Sequence, residues 1–424
     1  MSLKLLIKDK LLETILFLLL VIVFVGFEYT RTGDFGIYLQ ASREFVQGNN
    51  IYLFLYGETR VFEYMGSPFL SFVMVPFAIL PLNLGPVIWK LVCIILLYRS
   101  WIIINEYLPI KNLGTKGNKK LLLLSLFSAS FLIYTDLHYI QFTIFILYCI
   151  LEGLYQINKG NNIAGGLIIA FAILVKLLPI VFIPYLLYRG KFKSVLYIFL
   201  FLAVLIFIPA IFIGWDFNLE LYNSWWKIID PANDRNSIDV STRTIYGLSS
   251  LLATLLIEGV GNDYTLEIKR NLFNINQDIV FNIILAFRVL LILFTLYFLR
   301  KLPFKNVTNR LIDFWSISYL CLVIPVIFPQ QRMYAFVLCI PALLYINYYL
   351  FISRKFALMN KWKFAILLSL QVLIVLALNI ELFIGEFREF FWHFKIISYA
   401  SLLLIVQLAL CNPSHITEVS MKSR

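Results

Sequence analysis

Twelve apolar runs follow one another along this chain, near residues 11–27, 68–82, 86–104, 121–134, 140–156, 163–188, 194–214, 278–299, 311–328, 333–352, 363–384 and 392–411. That pattern constrains the fold more than any other feature. Backbone crossing lipid must satisfy its own hydrogen bonds, which leaves helices and closed barrels. Barrel strands alternate in polarity, whereas these runs are continuous, so they read as helices. A crossing helix takes ~20 apolar residues. The 424 residues therefore predict an all-α integral membrane protein, a polytopic bundle of about 10–12 transmembrane helices. Composition agrees: 61% of residues are hydrophobic and only 14% charged, against about 25% charged in soluble domains. A soluble globular enzyme, a disordered protein and a disulfide-stapled secreted module are excluded.

The formal net charge of +12 is mostly an orientation signal. Arg189, Lys191 and Lys193 form one basic loop, Arg300, Lys301, Lys305 and Arg310 a second, and Arg354, Lys355, Lys361 and Lys363 a third. All three read as cytoplasmic, together with the N-terminus. Lys4, Lys8 and Lys10 precede the first run, and no small-residue cleavage site follows it, so it reads as an uncleaved span. No basic patch interleaved with aromatics marks a nucleic-acid surface. The chain reads as one membrane domain, 1–424, with two long polar segments, 28–67 and 215–277, outside. The early half allows two arrangements. With single crossings throughout, the segment carrying Lys111, Lys116, Lys119 and Lys120 falls outside, against the charge rule. With 163–188 a broken pair and 68–82 re-entrant, the conflict disappears. Both keep 28–67 and 215–277 on one side.

The five cysteines, Cys93, Cys149, Cys321, Cys339 and Cys411, lie in or at the ends of apolar runs without CxxC spacing and read as packing residues. His138, His393 and His415 are too scattered for a zinc site. No phosphate-binding loop is present, so a self-powered pump is disfavoured. No internal repeat is visible, which weighs against a secondary transporter.

Scarce charge makes each unusual charge informative. Asp34 follows closely after the first run, between Gly33 and Gly36. A carboxylate there can act as general base on a hydroxyl presented at the interface; it is equally a favoured N-cap for a helix over 35–47. Gln47-Gly48-Asn49-Asn50 reads as the turn ending that helix, and Pro68 as the start of the next. Lys176 lies inside an apolar run, where a charge usually faces a cavity or a partner, and Pro179 breaks the ladder after it. The simpler reading is a lysine snorkelling from a helix end. Arg332, in Pro329-Gln330-Gln331-Arg332, is a positive charge on an outer turn and matches phosphate geometry; with Tyr334 it also suits an interfacial anchor. The segment 215–277 carries Trp215, Trp225, Trp226, Asp230, Asp234, Arg235, Asp239 and Arg243. Its tryptophans read first as interfacial anchors. The apolar stretch Tyr246–Ile257 is too short to span and suits an interfacial helix.

The order Gly33-Asp34-Phe35, then Tyr38, then Gly48-Asn49-x-x-Tyr52, then Tyr64-x-x-x-Pro68 before a span resembles the polyprenyl-phosphate-sugar-dependent glycosyltransferases of the GT-C class. The closest resemblance is to the bacterial family 87 type, which includes α-mannosyltransferases. A second series supports it: Asp136-Leu137-His138-Tyr139-Ile140-Gln141, Ala164-Gly165-Gly166 and Lys176-Leu177-Leu178-Pro179. Here Ile140 replaces a family glycine and Thr143 an asparagine, and the outer turn carries Gln331 and Arg332 where relatives often carry Ser, Trp and His. The resemblance covers most of residues 28–190.

The resemblance implies an inverting hexosyltransferase in the bacterial cytoplasmic membrane, its site facing outward. The donor would be a polyprenyl-phosphate sugar, mannose first, and the acceptor a glycolipid or glycan. Asp34 becomes the catalytic base. Lys176, Arg332 and Arg243 become candidates for the donor phosphate, and Tyr38, Tyr64, Gln141 and Gln331 for substrate contacts. No metal is inferred, because the first outer segment holds no DxD pair, and no cofactor is implied. The competing class is a transporter, flippase or polymerase of lipid-linked glycans. Concentration of acids in one outer segment and the lack of repeats favour the enzyme.

Overall fold

The computed structural model describes residues 3–57, 59–81, 83–109, 113–230, 244–258, 266, 268–300, 302–305, 309–414 and 416. Nearly all of the regular structure is helical. Helix α1 (Leu3–Val21) continues into a π-helical stretch, Ile22–Phe27, and α2 (Phe35–Val46) follows. A two-residue hairpin, β1 (Leu55–Tyr56) antiparallel to β2 (Phe62–Glu63), is the one sheet among the described residues. Then come α3 (Pro68–Ala78), α4 (Leu84–Tyr107), α5 (Gly114–Tyr139), α6 (Thr143–Asn158), α7 (Asn162–Val175), α8 (Phe182–Tyr188), α9 (Phe192–Phe207), α10 (Ala210–Ile213) and α11 (Trp215–Ile229). The later helices are α12 (Leu248–Leu256), α13 (Gln277–Leu299), α14 (Arg310–Ile327), α15 (Ile340–Lys355, entered through a 3-10 stretch Met333–Cys339), α16 (Lys361–Asn379), α17 (Arg388–His393) and α18 (Ile396–Leu410).

Seven helices among the described residues are long and apolar enough to cross a membrane; α17 and α18 with their flanks, bent by 65° at Lys395, make an eighth if taken as one span. The polytopic all-α architecture is that read from the runs. Four runs form five shorter apolar helices of 10–17 residues, the 163–188 run supplying two of them, below the ~20 needed to cross unaided. Two of these bear on the early topology. Helix α3 has only 11 residues, and the 163–188 run is broken. Helix α7 stops at Val175 and Lys176 is extended, at φ −145° and ψ 133°. The cause is Pro179, whose ring clashes with the carbonyl four residues back, that of Val175. The break in 163–188 is the one the second arrangement calls for. All five cysteines are buried and free, as packing residues.

The chain groups into two compact units. The first holds α1 to α3, most of α4, the last turn of α5 and α6 to α11. In it, α2 and the hairpin bury Phe45, Ile51, Tyr56 and Tyr64 against Leu221 of α11. Asn50 ties the segment down by donating to Glu220 Oε1 (2.8 Å) and Ser224 Oγ (3.0 Å), and Trp225 Nε1 donates to the Met65 carbonyl at 3.1 Å. Helix α2 ends as its sequence dictates, with Gly48 at φ 77° and its N–H on the Phe45 carbonyl. Helix α3 starts on Ser67, whose hydroxyl accepts the Leu70 N–H, with Pro68 behind it.

The second unit holds the end of α4, most of α5 and α12 to α18. Helices α14 and α15 are almost wholly enclosed. Trp315 donates to the Leu408 carbonyl and Tyr345 to that of Cys411, at 2.9 and 2.7 Å. A polar ladder joins Ser128 of α5, Asn347 of α15 and Gln371 of α16, the kind of interhelical bonding that holds apolar helices together. Helix α12 buries most of its residues, with Ala253 packed beside Val280 and Ile284 of α13.

Candidate active site

Asp34 stands at the N-cap position of α2, yet its side chain makes no capping bond. Its backbone is already helical, φ −70° and ψ −13°, whereas a capping residue is normally extended so that its oxygen reaches back to the helix. The carboxylate is engaged elsewhere: Gln141 Nε2 donates to Asp34 Oδ2 at 2.6 Å. The N-cap alternative thus describes where the residue sits and not what its side chain does. Asp34 is partly exposed and Gln141 is buried.

The far side of the Gln141 amide meets Lys176, whose Nζ donates to Oε1 at 3.1 Å. The ammonium stands at the α7 break, within electrostatic range of both Asp136 and Asp34. The snorkelling alternative is set aside by this partner: Lys176 is bonded inward, to a side chain 1% exposed. Ser67 steadies the break by donating its hydroxyl to the Leu174 carbonyl, one of the acceptors a helix end leaves unmatched.

The α5–α6 junction aims Gln141. Asp136, fully buried, accepts the Thr143 N–H (3.1 Å) and the Ile144 N–H (3.3 Å), so it caps α6. Its carbonyl accepts the Gln141 N–H at 2.9 Å, and Trp89 Nε1 donates to the Gln141 carbonyl at 3.0 Å. Ile140 turns the chain at φ 53°, a conformation unusual for a β-branched residue. Opposite it, Gly33 at φ 50° brings the Asp34 N–H onto the Tyr139 carbonyl at 3.0 Å.

A belt of charge surrounds this junction. His138 Nδ1 pairs with Glu28 Oε1 at 2.9 Å, Arg31 Nε donates to the His138 carbonyl at 2.9 Å, and buried Lys90 donates to the Glu28 carbonyl at 2.6 Å. Tyr38, one turn beyond Asp34, packs edge-on against Phe142 and Tyr64, with ring centres 4.8 and 6.0 Å away. Tyr64 is buried and hydrogen-bonds the Ser67 carbonyl, and Tyr52 donates to that of Gly66 at 2.7 Å. Burial pushes both phenols above their ordinary range, so they stay protonated donors.

Of the residues singled out in the sequence, the structure brings Asp34, Gln141 and Lys176 into one hydrogen-bonded chain, while Tyr38 packs on Phe142 and Tyr64. Gln331 and Arg332 belong to the second unit. There the Gln331 carbonyl accepts the Tyr246 N–H at 2.8 Å, its side chain donates to the Pro329 carbonyl, and Arg332 pairs with Ile245. Arg243 lies outside the described residues. Sequence reasoning assigned no role to Asp136, Glu28, His138 or Trp89. Asp136 caps α6 from seven residues before Thr143 only because Ile140 turns the chain, a turn that no local sequence signal announces. Among the described residues no three His, Cys, Asp or Glu side chains gather where a metal would bind.

The family model described as Glycosyltransferase family 87 matches residues 64–329. The matched span includes Tyr64, Gln141, Lys176 and Arg243; Asp34, Tyr38, Gln331 and Arg332 fall outside it. No curated protein and no solved structure matches the chain.

Proposed function

The chain belongs to glycosyltransferase family 87, and from that premise we propose that Asp34 is the base of a sugar transfer from a polyprenyl-phosphate donor, mannose first, to a glycolipid or glycan acceptor on the outer face of the membrane. The observation carrying this reading is the chain Asp34–Gln141–Lys176. It joins a partly exposed carboxylate from outside the matched span to an amide and a cation inside it.

The steps balance simply. Asp34 takes the proton of the acceptor hydroxyl while that oxygen bonds to the anomeric carbon. The bond from that carbon to the phosphate oxygen breaks, and polyprenyl phosphate leaves with its electron pair. A single displacement inverts the configuration. Fixed cations act on the departing negative charge more strongly than water does, because they need no reorientation. Lys176 lies at the site for this, and Arg332 and Arg243 of the outer segments are the further cations proposed. Tyr38, one turn beyond Asp34 and packed against Phe142, offers a ring for a sugar. Tyr64 and Tyr52 shape the segment that carries it.

The test uses purified enzyme in detergent, where no sealed compartment exists and transport has no readout. Labelled polyprenyl-phosphate mannose and a glycolipid acceptor should give product with wild-type protein, and a nucleotide-activated mannose should not. Asp34→Asn keeps volume and removes the base. Its turnover should fall by roughly 10²–10⁴ with an unchanged melting temperature. Near-normal turnover would sink the assignment.

A further inference from the structure

We infer that Gln141 is a positioning residue for Asp34, locked in one amide orientation by Lys176, and that it does not contact the sugar. The inference rests on the proposed role of Asp34 as base and names what holds that base in register.

The argument starts from amide chemistry. A glutamine side chain has a donor end and an acceptor end, and either can face a given partner. Here the two partners are charged and of opposite sign. Nε2 donates to the Asp34 carboxylate at 2.6 Å, and Oε1 accepts from the Lys176 ammonium at 3.1 Å. Turning the amide over would set an oxygen against a carboxylate and N–H groups against an ammonium. Both contacts are then repulsive, so the observed orientation is the only one that suits both neighbours. Bonds to ionised partners are also the shorter and stronger kind.

The backbone adds a second constraint. The Gln141 N–H is held by Asp136 and its carbonyl by Trp89, immediately after the turn at Ile140. The side chain is 1% exposed, which leaves a sugar little to touch. One carboxylate oxygen of Asp34 is held by Gln141, and the acid as a whole stays partly exposed. A base needs this arrangement: one oxygen fixed, and the group still open to a hydroxyl.

The electrostatic surroundings must be counted before pH is used as a probe. Lys176 from the α7 break and Asp136 from α5 face this amide and acid. Glu28, Arg31 and His138 stand on the other side of the Gly33–Tyr139 contact, with Lys90 of α4 behind Glu28. None of these changes in a substitution at position 141, so a shift produced there reports the contact with Asp34.

Gln141→Glu is nearly isosteric. It keeps an oxygen toward Lys176 and places a second carboxylate against Asp34. Two carboxylates in one site share a proton, and one of them titrates at higher pH. The acid limb of kcat should therefore move up by about one pH unit or more, with KM for the donor within a few-fold of wild type. Gln141→Asn keeps the amide but falls one methylene short of spanning both partners. It should lower kcat by about 10–100-fold, in line with ångström-scale misplacement, and leave the acid limb in place. These profiles are measured on full-length enzyme with labelled polyprenyl-phosphate mannose, beside Asp34→Asn and with melting temperatures recorded. An unmoved acid limb in Gln141→Glu overturns the inference, whether it comes with a raised KM, as for a sugar contact, or with lowered stability alone. If Gln141→Glu does not fold, wild-type kcat in Gln141→Asn overturns it. Should Asp34→Asn itself keep turnover, the base assignment fails whatever Gln141 does. A dead Asp34→Asn with wild-type behaviour in both Gln141 variants removes this inference alone.

Discussion

Gly33→Ala isolates the backbone contact that places Asp34. Gly33 is left-handed, at φ 50°, a region that costs an L residue roughly 1–2 kcal/mol. A methyl group there would stand 2.7 Å from the Tyr139 carbonyl oxygen, 2.9 Å from its carbon and 3.3 Å from Ile140 Cγ1. The near atoms are backbone, part of the turn that also carries Gln141, so they have nowhere to swing. Relief requires the two segments of this contact to separate by roughly 0.6–1 Å, given optimal carbon contacts near 3.5–4.0 Å. Separation weakens the Asp34 N–H bond to Tyr139, now 3.0 Å, at about 1 kcal/mol. The local cost is then about 2–3 kcal/mol. The larger consequence is kinetic. An ångström of misplacement at the reacting group costs about 10² in rate, so kcat should fall some 30–100-fold while KM for the donor changes little. Gly36→Ala is the matched control. There the new methyl meets only Thr32, at 3.7 and 3.8 Å, ordinary contact, and alanine in a helix is favoured by about 0.5–1 kcal/mol. Both variants are assayed by transfer from labelled donor in detergent. Turnover within threefold of wild type for Gly33→Ala, or an equal loss in Gly36→Ala, would refute the reasoning.

Two further outcomes concern stability. At Ile140, alanine removes the buried side chain but keeps the strained φ of 53°, whereas glycine removes both. Ile140→Gly should therefore melt above Ile140→Ala, by about 1 kcal/mol equivalent, the reverse of their order inside a helix; alanine proving the more stable would show the turn is unstrained. Arg99 of α4 grips Glu152 of α6 through two bonds, at 2.9 and 3.3 Å, and the acid is 5% exposed. Arg99→Leu leaves that carboxylate with the Gln156 amide, which donates to Oε1 at 2.6 Å, but no cation, and should cost about 3 kcal/mol, the low end for a buried pair because Arg99 is itself partly open. Adding Glu152→Leu should recover most of the loss in thermal melting, and a double variant no more stable than the single one would count against the pair.

The membrane body was legible because lipid leaves the backbone few choices, and hydropathy alone marks where helices run. The break at Lys176 was legible for a similar reason, since the clash of Pro179 with Val175 is a local rule. The partner of Asp34 was not. Gln141 lies 107 positions further on, and what joins them is the packing of two turns, one at Gly33 and one at Ile140. Glycine at the first could be guessed as flexible. Nothing local says that an isoleucine at the second adopts a left-handed turn, because that strain is imposed by the caps and bonds around it. The same blindness hid Asp136, whose capping of α6 depends on the chain reversing between them. The Asp34 cap was misleading in the opposite way: local preference placed the residue correctly and assigned its oxygens to the wrong donor.

The arrangement of charge in the first unit carries one more step. A charge in an apolar body is tolerated when a partner meets it, and the charges here are met in graded ways. Arg99 and Glu152 form a tight two-bond pair, which is the arrangement of a structural tie. Lys176 is different. It faces two carboxylates, Asp136 and Asp34, and donates to the Gln141 amide. Gln141 bridges the ammonium and the Asp34 carboxylate, one at each end of its amide. The acid keeps its partial exposure toward a hydroxyl, and a cation stands one amide away from it. On this argument, shortening the side chain at position 141 should harm transfer more than it harms stability, because asparagine cannot reach both Asp34 and Lys176.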